Sequence, residues 1–396
     1  MTDLKESMCG KPIEARTMPN EIEVSVVMPC LNEQEAIGIC IKKIQDVFRK
    51  YNLKGEIVVA DNGSVDRSVE LARSLGARVV FEKHKGYGSA YLRGLSEARG
   101  EYIVIGDSDN TYDFNDIPRF LDALKGGYDF VIGSRFKGAI QKGAMSWSHR
   151  YIGNPILSSM TRLFFFTSLS DIHCGMRAFT RTAYAKMRLM TVGMEFATEM
   201  VVSALTNHLT IYEIPISYHP RAGISKLKAF ADAWRHIRFM LLYCPVWLYF
   251  IPGTIGFLAG ATLLLLLVQG PFFFFGRYWD IHLLAFGSVL SLLSFQILTL
   301  GICAHTYAVR QGFIRYDRLT LFFKQFFTLE KGIAVGLVLF LIGFSINAFI
   351  FFEWYSKHFG ALHRIRESIV AMTLLVIGLQ TVFSSFLINL LFLERK

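Results

Sequence analysis

Two aspartates stand two residues apart, Asp107 and Asp109, directly after the apolar segment 102–105. Carboxylate oxygens are ligands that hard divalent cations prefer, and a cation held there neutralises a diphosphate leaving group. Such a triplet is common, so a solvated turn is the alternative for the pair taken alone. The pair is therefore a candidate Mg²⁺ or Mn²⁺ site, and the surrounding elements decide between the two interpretations.

The chain around this pair alternates between strands and helices. The alternation predicts a mostly parallel sheet covered by helices, whose ligands bind beyond the carboxyl ends of the strands. The Asp-Asn-Gly turn at residues 61–63 and the aspartate pair both fall at such ends. The predicted strands are residues 24–28, 56–60, 77–81 and 102–105, and the predicted helices are residues 35–51, 68–75 and 88–99.

The second part of the chain is far more apolar than the first. Hydrophobic residues make up 52% of the sequence and aromatic residues 14%, which exceeds the usual content of a soluble domain and requires that part of the chain face lipid. Four segments lack Asp, Glu, Lys and Arg over about twenty residues or more, the length that crosses ~30 Å of hydrocarbon. These segments are residues 245–270, 282–309, 332–352 and 368–393.

The first part contains no apolar run of spanning length, and residues 1–23 lack the basic-then-apolar pattern of a signal peptide. We therefore expect this part and both termini on the cytoplasmic side of a bacterial or archaeal membrane. Basic residues near the spans support this orientation, although Arg277, Lys357, Arg364 and Arg366 would lie on the opposite side. The basic residues expected on the cytoplasmic side are Arg235, Arg238, Arg310, Arg315, Arg318, Lys324 and Lys331.

Two amphipathic segments lie in the N-terminal part. Residues 147–167 place Arg150 and Arg162 within an apolar run, which predicts a core helix or, with some preference, a helix on the bilayer surface. Residues 226–243, directly before the first span, predict a helix that approaches the membrane. The predicted domains are a flexible tail at residues 1–23, a catalytic domain at 24–226, a juxtamembrane helix at 227–244 and a transmembrane domain at 245–396.

Cysteine usage and charge exclude several classes. The six cysteines show neither the paired spacing of a zinc site nor the density of a disulfide scaffold, so we expect free thiols. The formal net charge of +10 favours anionic substrates and an anionic leaflet. No nucleic-acid-binding motif accompanies that charge, and we therefore expect no nucleic-acid partner.

Four motifs follow one another along the first part of the chain: Val26-Val-Met-Pro-Cys-Leu-Asn-Glu33, Val58-Val-Ala-Asp61-Asn-Gly-Ser-Val-Asp66, Lys85-Gly-Tyr-Gly and Asp107-Ser-Asp109. Together they resemble the inverting family 2 glycosyltransferases with the GT-A fold. The resemblance implies a nucleotide-diphosphate-sugar donor and a metal ion, Mg²⁺ or Mn²⁺, at Asp107 and Asp109. The residues implied around the donor are Pro29, Leu31, Glu33, Asp61, Asn62, Lys85, Gly86, Asp107 and Ser108.

Later motifs narrow the resemblance: Asp171-Ile-His-Cys-Gly-Met-Arg177, Met194-Glu-Phe-Ala-Thr-Glu199, Glu213-Ile-Pro-Ile-Ser-Tyr218 and Arg221-Ala-Gly-Ile-Ser-Lys226. They are similar to the signature of polyprenyl-phosphate glycosyltransferases, in several of which transmembrane helices follow. The acceptor is then a dolichyl or undecaprenyl phosphate. An acceptor phosphate needs cations, and guanidinium groups suit its oxygens, although each arginine has ion pairing within the protein as an alternative. The expected acceptor-phosphate residues are Arg135, Arg177, Arg221, Ser225 and Lys226.

The mechanism implied is direct displacement at the anomeric carbon with inversion. A phosphate monoester with a second pKa of ~6 is already ionised at neutral pH, so no general base is required. We expect Asp107, Asp109, Arg135, Asp171, Arg221 and Lys226 to form the catalytic set. The expected architecture is an α/β domain of the GT-A type with a mostly parallel sheet, followed by an all-α transmembrane region of four helices.

The sequence departs from the family pattern at two positions. Asn62 stands where a second aspartate often follows Asp61, and Thr111 stands where relatives commonly have glutamine, which would alter base contacts and metal affinity. Glucose from UDP-glucose is the expected transfer, mannose from GDP-mannose the next, and a homotetramer is the expected assembly.

Other classes share some of these features. A processive polysaccharide synthase has the same fold and metal triplet, but it usually carries Gln-x-x-Arg-Trp before the membrane, which this sequence lacks. A flippase with a non-catalytic N-terminal domain would need charges within its spans, and the four segments contain none.

Overall fold

A computed structural model describes residues 22–223, 229–310, 318–326, 328–361 and 363–392. The expected site residues Ser225 and Lys226 lie outside the described residues, as do Arg315 and residues 1–21 of the expected tail. The chain divides into two compact units, Met1–Met240 and Leu241–Lys396.

The first unit is built on a seven-stranded sheet of order β3-β2-β1-β4-β6-β5-β7. Neighbouring strands are parallel except that β6 runs antiparallel to both β4 and β5. This arrangement confirms the expected mostly parallel sheet. The strands are β1 Val24–Cys30, β2 Gly55–Asp61, β3 Arg78–Phe81, β4 Tyr102–Ile105, β5 Phe130–Ile140, β6 Arg177–Thr180 and β7 Ile211–Tyr218.

Helices cover the sheet on both faces, so the central strands are buried and nearly continuous in apolar residues, as β1 is. Helix α1 buries Ile37, Ile41 and Ile44 at the spacing of one helical face. The helices of this unit are α1 Ile37–Lys50, α2 Ser68–Ser74, α3 Tyr87–Glu97, α4 Ile117–Lys125, α5 Asn154–Phe165, α6 Arg181–Met187, α7 Phe196–Thr206 and α8 Ala229–Tyr243.

The amphipathic segment at 147–167 forms a π-helical turn, His149–Gly153, followed by α5. One face of α5 is buried through Leu157 and Thr161, and the Thr161 hydroxyl contacts the sulfur of Met240 on α8. Large apolar side chains elsewhere in the segment 147–167 are exposed, and the bilayer-surface interpretation stays a prediction. The exposed residues are Trp147, Tyr151, Ile152, Ile156, Leu163 and Phe166.

The second unit contains the expected four helices long and apolar enough to cross a membrane: Val246–Leu267, Ile281–Arg310, Leu329–Ser356 and Ile365–Phe392. The first of them begins as the π-helical turn Val246–Phe250 and continues as α9 Ile251–Leu267. We label the others α10, α12 and α13, with the short helix α11 Arg318–Phe326 between α10 and α12.

The unit is not wholly helical, which corrects one part of the expectation. Strands β8 Phe272–Phe274 and β9 Arg277–Trp279 form a hairpin between α9 and α10. Its two-residue loop, Phe275 and Gly276, has positive φ at both positions (49° and 70°), the backbone that a tight hairpin turn requires. A run of aromatic residues around such a turn favours strands over helix.

Small residues allow α12 and α13 to approach closely. A Cβ atom built at Gly378 would lie 2.5 Å from the Phe340 backbone nitrogen and 2.6 Å from the Gly336 carbonyl oxygen. Close backbone approach of this kind is how membrane helices associate where lipid removes the hydrophobic driving force.

We therefore expect Gly378→Leu to separate α12 from α13 and to lower the free energy of unfolding by about 1–3 kcal/mol, the usual cost of overpacking. The melting temperature of the detergent-purified protein, followed by circular dichroism, measures the effect. The control is Leu379→Val, because Leu379 is the next residue and is 45% exposed. Equal melting temperatures for the two variants would contradict the proposed close contact.

Candidate active site

The sequence-predicted donor and metal residues converge at the carboxyl ends of β1, β2 and β4. Cys30 is paired with Asp61 across β1 and β2, and Val27 is paired with Ile105 across β1 and β4, so these strand ends share one edge. The Ser108 hydroxyl donates to the Pro29 carbonyl at 2.6 Å and joins the segments that follow β1 and β4. Strand order reverses at β1, and such a switch point opens a crevice for ligands.

Asp107 is held in one orientation by two tyrosines. The hydroxyls of Tyr87 and Tyr91 donate to its Oδ1 at 2.9 and 3.2 Å. Its Oδ2 lies beside the backbone of Gly175, where an added Cβ atom would come within 2.8 Å. Burial raises the pKa of Asp107 to about 6, and the nearby carboxylate of Asp109 adds to the shift. A cation bound to Oδ2 would reduce the electrostatic repulsion between the carboxylates of Asp107 and Asp109.

Asp109 is buried, with 8% of its surface exposed, so the aspartate pair is not a solvated turn. Its Oδ1 accepts from the backbone nitrogen of Thr111 at 3.1 Å and from the Thr111 hydroxyl at 2.6 Å. Its Oδ2 forms an ion pair with Arg221 Nη1 at 3.1 Å. Thr111, the departure from the family pattern, therefore orients the Asp109 carboxylate.

Arg221 bridges two carboxylates of the crevice. In addition to Asp109 it contacts Glu33 through Nη2, in a pair 188 residues apart in sequence. Its Nε is buried and has no hydrogen-bond partner among the described residues. The backbone on either side is anchored, because His219 N donates to the Thr111 carbonyl at 2.9 Å and Ala222 N to the Asp109 carbonyl at 3.1 Å.

Arg135 is fixed by Asp171 in a buried, two-pronged ion pair. Nε and Nη2 of Arg135 lie 2.7 and 2.8 Å from the two oxygens of Asp171, and the Arg135 backbone nitrogen donates to the same carboxylate at 3.0 Å. Burial disfavours the charged guanidinium, but the Asp171 carboxylate outweighs it and holds the pKa of Arg135 well above its usual value. The ring of Tyr218 lies 5.2 Å away on one side of the guanidinium.

Asp171 therefore acts on Arg135. Its side chain is fully buried and both of its oxygens accept from the arginine, so Asp171 is a positioning residue. Arg135 retains Nη1 as a donor that Asp171 does not engage.

The residues expected around the nucleoside form hydrogen bonds with the main chain of the loops in which they lie. Both oxygens of Asp61 accept from backbone nitrogens of its turn, at 3.0 Å from Gly63 and 3.2 Å from Ser64. Asn62 donates to the Glu82 and His84 carbonyls and accepts from Gly86 N at 2.8 Å. The Lys85 ammonium donates to the Asn62 carbonyl at 2.9 Å, which keeps its charge at the mouth of the β2 turn.

Gly86 and Glu33 also have structural reasons for their positions. A Cβ atom at Gly86 would lie 2.2 Å from the Val192 carbonyl oxygen, so only glycine fits this approach. The backbone nitrogen of Glu33 donates to the Ser68 hydroxyl at 2.8 Å, and Leu31 lies just beyond β1 in the same loop.

The structure does not support the expected role of Arg177 in binding the acceptor phosphate. Arg177 is 1% exposed, and its Nε, Nη1 and Nη2 donate to the carbonyls of Cys174, Ala197 and Ile172 at 2.8, 2.7 and 2.8 Å. A guanidinium with all three nitrogens engaged by main-chain carbonyls holds the surrounding loops together and has no surface for a ligand.

Replacing this arginine tests that assignment. Arg177→Met should lower the free energy of unfolding by about 3 kcal/mol or more, because three buried carbonyls lose donors at roughly 1–3 kcal/mol each. The melting temperature measures the loss, with Arg119→Met as control, since Arg119 is half-exposed and pairs with a surface aspartate. A variant that melts like the control but binds the acceptor poorly would restore the ligand-binding role.

Sequence analysis missed Tyr87, Tyr91 and Gly175, which confine the Asp107 carboxylate. Tyr87 lies within the motif Lys85-Gly-Tyr-Gly, and Gly175 lies within Asp171-Ile-His-Cys-Gly-Met-Arg177, so both were visible as motif positions without a role. Tyr91 follows Tyr87 by one helical turn on α3, and that spacing is the only sequence signal that both hydroxyls face one point.

The aspartate pair fits a magnesium-type cation. Asp107 and Asp109 each have Oδ1 engaged by hydroxyl or amide donors, so a cation would use the Oδ2 atoms, of which that of Asp109 is paired with Arg221. Among the described residues no group of three or more His, Cys, Asp or Glu side chains is arranged to hold a metal ion. Mg²⁺ is commonly bound by one or two carboxylates together with substrate phosphates, which is the case this donor set matches.

Comparison with known proteins gives matches in both units. Residues 25–188 match the family model described as glycosyl transferase family 2, and residues 302–392 match the glycosyltransferase family 2 C-terminal transmembrane region. The low-salt glycan biosynthesis hexosyltransferase Agl6 of Haloferax volcanii is 39% identical over 369 residues, covering 92% of this chain and 88% of the relative.

Two further similarities concern the first unit. A dolichyl-phosphate hexose transferase of Haloferax volcanii is 33% identical over 210 residues, covering 53% of this chain and 88% of the relative. Among solved structures, glucosyl-3-phosphoglycerate synthase from Mycobacterium tuberculosis in complex with Mn²⁺, uridine diphosphate and glucosyl-3-phosphoglycerate is 22% identical, with a TM-score of 0.46, covering 56% of this chain and 80% of that one.

Proposed function

The chain belongs to glycosyl transferase family 2, and on that premise we propose that it moves one hexose from a nucleotide-diphosphate-sugar onto a polyprenyl phosphate. The observation that carries the proposal is the cluster at the crevice, where the carboxylates of Asp107 and Asp109 meet the guanidinium of Arg221. Two anionic substrates need such a set of charges, and the four apolar helices suit an acceptor dissolved in lipid. The similarity to a hexosyltransferase and to a dolichyl-phosphate hexose transferase of Haloferax volcanii supports a hexose and a dolichyl phosphate.

The donor side is assigned to the strand ends. Asp107 and Asp109 would hold Mg²⁺ or Mn²⁺, which neutralises the diphosphate leaving group. The turn at Asp61 and Asn62 and the ammonium of Lys85 border the place for the nucleoside. Pro29, Leu31, Glu33, Gly86 and Ser108 shape the rest of this wall. UDP-glucose is the donor we favour, and GDP-mannose is the next.

The acceptor side is assigned to Arg135, Arg221, Ser225 and Lys226. Asp171 holds Arg135 in a fixed direction, so its remaining Nη1–H can meet a phosphate oxygen with little loss of side-chain entropy. Arg221, which is partly buried beside Asp109, adds a second positive charge on this side. Charge-assisted hydrogen bonds from guanidinium groups to phosphate are among the strongest in proteins.

The reaction is a single displacement. An oxygen of the acceptor phosphate forms a bond to the anomeric carbon while the bond from that carbon to the nucleoside diphosphate breaks, and the configuration inverts. The acceptor is ionised at neutral pH, so the protein does not remove a proton and its work is positioning and charge neutralisation. The product is a polyprenyl-phosphate-linked monosaccharide for glycosylation outside the cytoplasm.

The four apolar helices support an integral membrane protein. We propose that the catalytic unit lies on the cytoplasmic side, with the exposed apolar side chains of segment 147–167 against the bilayer surface, and that the protein assembles as a homotetramer. The basic residues Arg150 and Arg162 on the same segment would meet anionic lipid headgroups.

A sugar-transfer assay tests the proposal. The purified protein is mixed with Mg²⁺ or Mn²⁺, undecaprenyl phosphate or dolichyl phosphate and a panel of labelled nucleotide-sugars, and label is read in the organic phase. We expect one labelled monoglycosyl lipid, and the donor that gives it names the sugar. Asp109→Asn should reduce transfer to background while the protein remains folded, as measured by circular dichroism. Label that grows into polymer, or label that reaches no lipid with any donor, would contradict the proposal.

Lys226 offers a test that separates the two substrates. Lys226→Ala should raise KM for the polyprenyl phosphate roughly tenfold, the loss of one charged hydrogen bond, and leave KM for the nucleotide-sugar nearly unchanged. Initial rates at varied acceptor and donor measure the two constants. Lys125→Ala is the control, because Lys125 lies on α4 and pairs with Glu23. A larger effect on the donor constant would move Lys226 to the donor side.

A further inference from the structure

We infer that Arg221 competes with the divalent cation for Asp109, so that the free enzyme binds the cation weakly until the donor diphosphate takes the arginine. This inference rests on the proposed function only for the presence of a metal-bound diphosphate. It assigns Arg221 a second task, in which the same guanidinium first holds the metal ligand and then serves the phosphates.

The competition follows from which oxygen each group uses. Oδ1 of Asp109 already accepts twice from Thr111, at 3.1 and 2.6 Å. That arrangement turns Oδ2 toward the crevice, and Oδ2 is the oxygen that Arg221 Nη1 holds at 3.1 Å. Tyr87 and Tyr91 occupy Oδ1 of Asp107, so its Oδ2, which lies beside Gly175, is the oxygen left for a cation. A cation that uses both aspartates must therefore share or take the oxygen paired with Arg221.

The ion pair is not a weak surface contact. The side chains of Arg221, Glu33 and Asp109 are 22%, 9% and 11% exposed, so their charges are only partly screened by water. A second cation that approaches Asp109 while the guanidinium remains would meet like charge in a poorly solvated crevice. The cation therefore binds only at the cost of displacing Arg221.

The main-chain hydrogen bonds on either side of Arg221 limit how far its guanidinium group can move. His219 and Ala222 donate to the carbonyls of Thr111 and Asp109, so the segment is bonded to the same loop that carries the metal ligand. The guanidinium can leave Asp109 by rotation of its side chain and still stay beside the site. Its buried Nε–H, which has no partner among the described residues, is available to a new anion.

A diphosphate is that anion. It carries several oxygens, so that one can meet the unpaired Nε–H while another replaces Asp109 at Nη1, and it supplies further ligands to the cation. Donor and cation then favour each other, since each removes an obstacle to the other. Linkage requires that this coupling be equal in both directions.

The test measures Mn²⁺ binding without nucleotide, using the intensity of free Mn²⁺ in electron paramagnetic resonance of the detergent-purified full chain. Arg221→Gln removes the charge and should bind Mn²⁺ roughly tenfold more tightly than the unmodified protein, the effect of one lost ion pair of this strength. Arg221→Lys keeps the charge and should bind like the unmodified protein. Arg49→Gln is the control for net charge, because Arg49 is exposed in the last turn of α1 and pairs with Asp46.

A double variant and a structure with bound ligands complete the test. Asp109→Asn combined with Arg221→Gln should lose the tight binding, and its persistence would place Mn²⁺ elsewhere and overturn the inference. Equal or weaker binding by Arg221→Gln alone would also overturn it. With the unmodified protein, a structure with UDP and Mn²⁺ should show Arg221 on the diphosphate and not on Asp109, and the opposite would refute the competition. Failure of lipid transfer in the sugar assay, with these results intact, would count against the proposed function alone.

Discussion

The repulsion between Asp107 and Asp109 is the constraint on which the rest of the crevice depends. Burial already disfavours the ionised form of Asp107, and together with the charge of Asp109 it raises the pKa of Asp107 to about 6. Each carboxylate oxygen has its own surroundings in the fold. Two tyrosine hydroxyls and one threonine satisfy the inner oxygens, and a guanidinium neutralises one of the outer oxygens. The outer oxygens of the two aspartates therefore form the part of the site that most favours binding of a further positive charge.

The scaffold supplies this geometry through its strand ends. Because β1, β2 and β4 are parallel and in register, their carboxyl ends bring loops from distant parts of the chain to one edge. The segment after β7 then reaches the same edge through a main-chain bridge between Tyr112 and Tyr218. Arg221 follows that bridge directly, which is why a residue 188 positions from Glu33 can pair with it. The topology, more than any local motif, assembles the set of charges.

Much of the fold was predictable because its signals are local. The bounds of β4 were predicted as observed, and four spans were predicted from the absence of charge, since burial in lipid leaves a continuous mark in sequence. The hairpin β8–β9 was missed because its signal is a short aromatic run within a long apolar region. At the site, the position of Asp107 and Asp109 was predictable, but their tyrosine partners depend on where α3 packs.

The arginines show the limit of sequence reasoning most clearly. Arg135, Arg177 and Arg221 looked alike as cations for a phosphate, yet they have three different surroundings: a buried carboxylate, three main-chain carbonyls, and two carboxylates of the crevice. A guanidinium has five donors, and the acceptors that they meet are decided only when distant segments of the chain come together.

Arg135 and Arg221, the two arginines that pair with carboxylates, also differ in how freely their side chains can move. Arg135 is locked by both oxygens of one aspartate, whereas Arg221 divides its donors between two partners and keeps one unpaired. A site that must bring two anions together benefits from this difference, because one fixed cation can define where the acceptor lies while one movable cation follows the charge that develops on the leaving group.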